Sequence, residues 1–391
     1  MRPLLLVGFA EALSAPEVVF GLTAAGFRLR LFTRKGTSSR LARTLKLDLV
    51  EVTAPEHDIA ATRADLLRAC DDVDGLFALD DVSLRLCTDL AEQTKGLRHI
   101  HATGARAEAG LNKATQLAAA RAAGLDVPDG PILNLPDDLP ENIALPVIAK
   151  PVHAVELRDG KILKDDVHYL MNAQDVARFR ALPSLAAPLI VQPLIHGTGE
   201  GIFGHATTEG VIGWSGHQRV RMMNPHGSGS SACRVLTPDP DLCKRIETMM
   251  MALDWRGPFM IELLRDDKGT PWFMELNGRV WGSMALARRN GLDYPVWATE
   301  SAFDPDFTPQ QGPERQDTVR HLGRDVLHLL FALRGPKTDF HKQGWPKFLH
   351  SLPRVLQPAT GRAFYNYDPR HKGYFIGDAV DTVRATLRKR K

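Results

Sequence analysis

The first hundred residues alternate short apolar runs with segments of helical periodicity. "PLLLVGF", "FRLRLFT", "DGLFAL" and "LRHIHA" indicate buried strands, and "APEVVFGLTAAG" and "SLRLCTDLAEQTK" between them indicate helices. Strands that alternate with helices are typical of a parallel sheet. We therefore predict an N-terminal parallel α/β domain over residues 1–104. No G-x-G-x-x-G follows the first strand, so the sequence does not support a dinucleotide site.

The pattern changes after residue 104. "LNKATQLAAARAAGLDVPDG" predicts a helix with Asn112 as N-cap, and "LPVIAKP" and "APLIVQPLI" predict short strands. These segments indicate a central lobe over 105–191. Residues from about 202 to 283 read mostly as strands, which predicts a C-terminal lobe over 192–310 with an antiparallel sheet. Residues 311–391 form an extension of unknown role with one amphipathic segment, "TVRHLGRDVLHLLFAL". The predicted fold class is α/β (α+β).

Two of these predicted strands carry acidic residues inside apolar runs, in "PFMIELL" and "WFMELNG". Strand side chains alternate between faces, so Phe273, Glu275 and Asn277 are expected to share one face. A two-residue turn at Lys268–Gly269 would place Glu262 opposite Glu275. The sequence therefore predicts two carboxylates side by side, with an amide one pair further along.

Like charges that face each other on a sheet are unfavourable, and burial makes them worse. A divalent cation would compensate, because carboxylate oxygens suit Mg²⁺, which also binds substrate phosphates. The alternative is a pair of solvated glutamates on an edge hairpin, since charged residues are mostly exposed.

Several other residues are candidate nucleotide contacts. Lys113 lies at the predicted start of a helix, where the backbone also favours phosphate, and Lys150 lies inside an apolar strand. Gln192 at a strand end could meet an adenine edge, and Glu200 in "GTGEG" could take ribose hydroxyls. Taken alone, Lys113, Lys150 and Glu200 each favour a structural or surface role, and Gln192 fits a plain buried strand end equally well.

Composition narrows the function class only a little. The chain has 391 residues, a net charge of +3 and 44% hydrophobic residues, which is typical of a globular protein of two or three domains. The small charge gives no reason to expect a nucleic-acid partner. No apolar run is long enough to cross a bilayer. The four cysteines form no C-x-x-C, so we expect reduced thiols and a cytoplasmic protein.

The residues from about 105 to 300 resemble the ATP-grasp superfamily, and most closely its carboxylate–amine ligase branch, the carbamoyl-phosphate-synthase-like members. The resemblance rests on "NKATQLAAARAAGLDVP", "PVIAKP", "VQPLIHGTGEGIFG" and "FMIELLRDDKGTPWFMELNGRVWGSMALA". It implies a three-part fold with ATP held between the central and C-terminal lobes. It also implies small-molecule carboxylate and amine substrates, Mg²⁺ with Mn²⁺ as an alternative, and a homodimer among the options for oligomeric state.

The resemblance assigns a role to each matching position. The implied phosphate contacts are Lys113 and Lys150; the adenine contacts are Gln192 and the backbone of Pro193, Leu194 and Ile195; the ribose contact is Glu200; the metal ligands are Glu262, Glu275 and Asn277. Arg221, and with it Arg219, would neutralise an acyl phosphate, and Arg279 would contact the γ-phosphate or the substrate carboxylate.

The sequence departs from the family at two points. The segment after Lys150 has only Gly160 where a glycine-rich phosphate lid is usual, and Gln192 stands where many members have Glu. The implied reaction joins a carboxylate to an amine through an acyl phosphate. Kinase or carboxylase-type activation, and a nucleotide-binding module without turnover, are the alternatives.

Overall fold

The computed structural model describes residues 1–313, 316–337, 339–342 and 344–388. Its N-terminal part is a parallel sheet with strand order β3-β2-β1-β4-β5. The elements are β1 Leu4–Gly8, α1 Ala15–Ala24, β2 Arg28–Arg34, α2 Arg40–Leu45, β3 Asp48–Val52, α3 Ile59–Ala69, β4 Gly75–Ala78, α4 Asp81–Asp89 and β5 Arg98–His99. Every residue of β1 is buried, as expected for a central parallel strand that helices cover on both faces. The predicted parallel sheet is confirmed.

The central part is a four-stranded sheet with order β10-β7-β11-β6, in which the pairs are antiparallel. Its elements, with the two helices that precede it, are α5 Gly104–Leu111, α6 Lys113–Ala122, β6 Ile132–Leu133, β7 Val147–Pro151, β8 Glu156–Arg158, β9 Lys161–Leu163, β10 His168–Leu170, α7 Ala173–Arg180 and β11 Leu189–Pro193. Asn112 caps α6 as predicted, because its side-chain oxygen accepts from the Thr115 amide at 3.1 Å.

The C-terminal part is a six-stranded sheet with order β16-β15-β12-β13-β14-β17. Its elements are β12 Thr198–Ala206, β13 Val211–Asn224, β14 Ser228–Val235, α8 Pro240–Ala252, β15 Gly257–Arg265, β16 Pro271–Asn277, α9 Ala285–Arg289, α10 Tyr294–Phe303 and β17 Thr318–Arg320. All neighbouring pairs are antiparallel. One apolar cluster joins Leu76 of the N-terminal sheet to Ile261 and Phe273 of this sheet, so the two parts share a core.

The extension is attached to the rest of the chain by a strand and helices. β17 pairs with β14, so residues predicted to lie outside the C-terminal lobe contribute to its sheet. The helices that follow are α11 Leu322–Arg334, α12 Asp339–Lys342, α13 Phe348–Leu356 and α14 Tyr374–Arg388. The amphipathic segment predicted around residue 325 is α11. Among the described residues, no helix combines the length and the apolar character that crossing a membrane requires.

Candidate functional site

The hairpin of β15 and β16 brings the two predicted carboxylates together. Glu262 and Glu275 are direct partners across the strands. The turn, however, is not the two-residue turn that the sequence suggested. Five residues, 266–270, connect the strands, and Asp266 organises them by accepting from the amides of Lys268 and Thr270 at 3.0 and 2.8 Å.

A β-bulge restores the pairing that the longer turn would shift. Leu263 pairs with Phe273, and Glu262 pairs with Glu275, so Met274 is the extra residue. The bulge corrects the predicted alternation as well. Phe273 is fully buried in the core, whereas Met274 and Glu275 both line a cleft on the opposite side of the sheet. Phe273 therefore does not share a face with Glu275.

Asn277 extends the acidic pair. Its side chain is 8% exposed, and its Nδ2 donates to Glu275 Oε1 at 3.4 Å. This orientation leaves the amide oxygen of Asn277 as the atom available to a cation. The hairpin thus brings Glu262, Glu275 and Asn277 together, as predicted.

Two cationic side chains lie against the carboxylates. Arg219 Nη2 is 2.7 Å from Glu262 Oε1, which makes a partly buried ion pair. Lys150 Nζ donates to the carbonyl oxygen of Met274 at 3.4 Å, so the bulge supplies the acceptor. Burial lowers the pKa of Lys150, and Lys113 lowers it further, although Glu275 and Glu262 oppose the shift.

Lys113 is the first residue of α6, and its positive charge lowers the pKa of Lys150 and the pKa of Asp81. The helix terminus itself offers less than the sequence suggested. The Lys113 amide donates to the Val152 carbonyl at 2.8 Å, and the Thr115 amide is occupied by the Asn112 cap. Any phosphate contact at this position therefore falls to the lysine side chain.

An ion pair links the N-terminal domain to the loop after β16. Arg279 Nε is 3.0 Å from Asp81 Oδ1, and Lys164 Nζ is 3.7 Å from Asp81 Oδ2. Burial would raise the pKa of Asp81, but Arg279, Lys164 and Lys113 lower it below its ordinary value. The sequence analysis missed Asp81, although its place just after a parallel strand, where α/β sheets bind ligands, is a usable signal.

The cleft between the central and C-terminal sheets has a volume of about 510 Å³, within the range of small-molecule sites. Its lining includes apolar side chains as well as Lys150, Arg219 and the carboxylate pair. The apolar wall residues from the two sheets and from the segment after β11 are Ile148, Leu194, Ile195, Leu264 and Met274. A cleft that combines apolar side chains with opposed acidic and basic groups has the chemistry to hold a nucleotide and a cation.

Two residues predicted to contact the nucleotide lie elsewhere. Gln192 is 3% exposed and does not line the cleft, because its Nε2 donates to the Pro128 carbonyl at 2.7 Å. Glu200 is on the face opposite Glu262 and is paired with Arg265, Nη2 to Oε2, at 2.9 Å. The adenine role expected for the Gln192 side chain and the ribose role expected for Glu200 do not fit these positions.

The segment after β11 meets the expectation in part. Leu194 and Ile195 line the cleft, whereas Pro193 is exposed at the end of the strand. The Leu194 amide is occupied by the Pro146 carbonyl at 3.0 Å. The adenine edge would therefore have to meet other backbone groups of this segment.

Arg221 does not join Arg219 at the carboxylates. A bulge at Val220 shifts the register between β13 and β14. Arg219 and Arg221 therefore do not share a face of the sheet, as residues two apart in a regular strand would. Arg221 makes a double hydrogen bond to Asp325 of α11, at 2.8 and 2.9 Å, and Asp325 is 1% exposed. The role expected for Arg221 at an acyl phosphate does not fit this buried pair, whereas Arg219 lines the cleft beside Glu262.

The fold has solved relatives, although no protein-family model and no curated protein matches the chain. An L-amino acid ligase from Bacillus licheniformis superposes with a TM-score of 0.62 at 16% identity over 80% of this chain and 78% of that chain. A carboxyaminoimidazole ribonucleotide synthase from Aspergillus clavatus, complexed with ATP, gives 0.62 at 13% over 82% of each chain.

A third structure is the biotin carboxylase domain of 2-oxoglutarate carboxylase from Hydrogenobacter thermophilus, in complex with MgADP, ADP and bicarbonate. It gives a TM-score of 0.61 at 14% identity over 92% of this chain and 100% of that chain. The chain has the ATP-grasp fold.

In this ATP-grasp fold the donor set of the hairpin fits a hard divalent cation. Among the described residues no group of three or more His, Cys, Asp and Glu side chains could hold a metal. The hairpin instead offers two opposed carboxylates and one amide oxygen. Such a partial shell suits Mg²⁺, which keeps several waters and takes substrate phosphates as further ligands.

Proposed function

We propose that this protein is an ATP-dependent carboxylate–amine ligase that forms an amide through an acyl phosphate. The observation that carries the proposal is the Glu262–Glu275 pair in the lining of the cleft, with Lys150 beside it. Opposed carboxylates in this setting need positive charge, and a divalent cation that also binds the triphosphate supplies it. The solved neighbours complexed with ATP and with MgADP support this choice of nucleotide and metal.

The proposed roles follow the positions of the side chains. Glu262, Glu275 and Asn277 hold Mg²⁺, which neutralises phosphate charge. Lys150 and Lys113 contact phosphate oxygens, and Leu194 and Ile195 with the apolar walls hold the adenine. We assign the N-terminal domain to 1–104, the central lobe to 105–191, the C-terminal lobe to 192–310 together with β17, and the extension to the rest of 311–391.

The reaction proceeds in two steps. A substrate carboxylate oxygen attacks the γ-phosphorus of ATP, the bond to the β–γ bridging oxygen breaks, and an acyl phosphate and ADP result. An amine nitrogen then attacks the acyl carbon, the tetrahedral adduct expels phosphate, and the amine proton is lost. In this proposal Arg219, which pairs with Glu262, and Arg279, which pairs with Asp81, neutralise the growing negative charge, which is the main contribution of protein groups to phosphoryl transfer.

The substrates are proposed to be a small carboxylic acid or amino acid and a small amine, and the protein to be cytoplasmic. The four cysteines are free, and three of them are buried, which agrees with a reducing compartment. The neighbour bound to bicarbonate supports carboxylase-type activation as the second candidate.

The test is an ADP-release screen with Mg²⁺ and ATP over pairs of amino acids and small carboxylic acids, followed by mass spectrometry. The expected result is ADP release that needs both partners and a product lighter than their sum by one water. Glu275→Ala is the inactive control. Hydroxamate formation with hydroxylamine identifies the acyl phosphate, whereas stimulation by bicarbonate alone would favour the carboxylase reaction. A wild-type protein that releases no ADP with any pair would contradict the ligase proposal.

A further inference from the structure

The C-terminal extension forms part of the cleft wall. His341, Gly344 and Trp345 line the same cleft as Lys150 and Glu262, although they come at least 79 positions after these residues in the chain. The ATP-grasp resemblance covered only about residues 105–300, so the extension adds a surface for which the sequence analysis gave no role. This wall lies beside the turn between β13 and β14, where His226 and Gly227 also line the cleft.

His226 fixes this wall. Its ring centroid is 4.6 Å from that of Trp345 and 4.8 Å from that of His341, both in edge-to-face geometry. His226 Nε2 accepts from the Lys337 amide at 3.0 Å, so Nδ1 carries the proton that it shares with Asn224 Oδ1 at 3.0 Å. Burial, with His341 and Lys337, lowers the pKa of His226 and keeps the ring neutral at physiological pH.

A second attachment comes from His328 on α11. Its Nδ1 is 2.7 Å from the Met222 carbonyl, and its Nε2 is 3.0 Å from Ser351 Oγ on α13. This imidazole therefore joins β13 to two helices of the extension, one on each side of the segment that carries Trp345. The ring contact with His226 and the His328 bridge therefore attach the segment around Trp345 to β13 and the turn that follows it.

The cleft lacks the acidic ribose contact that the sequence suggested, because Glu200 is paired with Arg265 on the other face. Trp345 offers a different group. Its indole N–H is buried and has no acceptor among the described residues. A ribose hydroxyl oxygen can accept from an indole N–H, and the ring can pack against the sugar.

We propose that Trp345 contacts the ribose of the bound nucleotide, so that the extension supplies a part of the ATP site. This inference rests on the proposed function. The charge of the segment agrees with it, since residues 335–347 contain Lys337, Lys342 and Lys347 against one aspartate, and a triphosphate is anionic.

The test measures MgADP binding by calorimetry. Trp345→Phe keeps an aromatic ring and loses the N–H, and affinity is expected to fall by about threefold to tenfold, as for one lost hydrogen bond. Trp345→Ala also removes the packing, and the expected loss is about thirtyfold. Leu349→Ala is the matched control, because Leu349 is 77% exposed on α13 of the same extension. Its MgADP affinity should equal that of the wild type.

Tryptophan emission gives a second measurement. MgADP should change the emission of the wild type, and most of the change should disappear in Trp345→Phe, although five other tryptophans remain. Circular dichroism shows whether each variant is folded.

Wild-type MgADP affinity and an unchanged emission response in Trp345→Phe would overturn the inference. In that case weaker binding by Lys150→Ala would leave the proposed function intact. Unchanged binding in both variants would show instead that the nucleotide site itself is wrongly assigned.

Discussion

Two acidic centres of this molecule differ in how completely their carboxylates are paired. Glu17 is 3% exposed and lies between Arg288 and Arg289, with the Asn366 amide donating to it at 2.7 Å. Both of its oxygens are occupied. Glu275 faces another carboxylate, and among the described residues its side chain accepts one hydrogen bond, a 3.4 Å contact from Asn277.

The difference separates a structural charge from one that we propose to be functional. Burial would raise the pKa of Glu17, but Arg289 and Arg288 outweigh it and hold this pKa below its ordinary value. Glu17 needs nothing more from outside the chain. The hairpin pair gathers negative charge and gives it partial compensation through Arg219 and Lys150, which leaves room for a cation.

The largest expected effect is on folding stability at Glu17. Glu17→Gln leaves two buried guanidiniums short of a partner, and the free energy of unfolding should fall by about 3–5 kcal/mol. Chemical denaturation measures it. Glu56→Gln is the control, since Glu56 pairs with Arg34 at 40% side-chain exposure and its loss should cost less than about 1 kcal/mol. An equal fall in the free energy of unfolding for Glu17→Gln and Glu56→Gln would contradict the distinction between the buried ion pair and the exposed one.

The next effect is on turnover at the hairpin. Glu275→Ala should reduce ADP formation by more than about a hundredfold, because a ligand of the charge-stabilising cation is lost. Unfolding stability should be unchanged or slightly higher, since a like-charge contact disappears. Near-wild-type turnover would contradict the metal role. A large loss of stability would place Glu275 with Glu17 as a structural charge.

Two neighbouring arginines should respond differently. Arg219→Gln should slow turnover by about tenfold to a hundredfold, as for loss of a charged hydrogen bond, with little change in stability. Arg221→Gln should mainly lower the free energy of unfolding, because it leaves Asp325 buried without its partner. Steady-state kinetics and denaturation on both variants measure this contrast. A loss of turnover in Arg221→Gln without a change in the free energy of unfolding would instead support a role for Arg221 in the site.

The smallest effect is a proton uptake at Lys150. Burial lowers the pKa of this lysine in the free protein, and a nearby phosphate would raise it. Nucleotide binding should therefore take up a fraction of a proton, and affinity should weaken as pH rises through the lowered pKa. Calorimetry in two buffers of different ionisation enthalpy measures the uptake. Lys150→Met should abolish it, and an uptake that persists would assign the proton to another group.

The sequence predicted those parts of the site that depend on local pattern. The parallel sheet, the capped helix α6 and the pairing of Glu262 with Glu275 all follow from periodicity, capping residues and turn signals. The pairing was correct although the turn was not, because the Met274 bulge compensates for the longer connection. Glu262, Glu275 and Asn277 could be found because acidic and amide residues are conspicuous inside apolar strands.

The predictions failed where contacts between distant parts of the chain determine the direction of a side chain. The bulge at Val220 and the partner on α11 determine which arginine reaches the carboxylates, and neither is visible in "HQRVRMM". Glu200 faces Arg265, a residue on another strand, so its side could not be read from "GTGEG". Asp81 and Trp345 come from parts of the chain outside the resemblance and reach the site only through the fold.

The bulge at Met274 has a consequence for comparing relatives of this chain. Loss of Met274 alone would leave a regular ladder that still sets Leu263 opposite Phe273 and Glu262 opposite Glu275, but it would remove the carbonyl that accepts from Lys150. A related sequence without the extra residue is therefore expected to keep the carboxylate pair and to hold the lysine in another way.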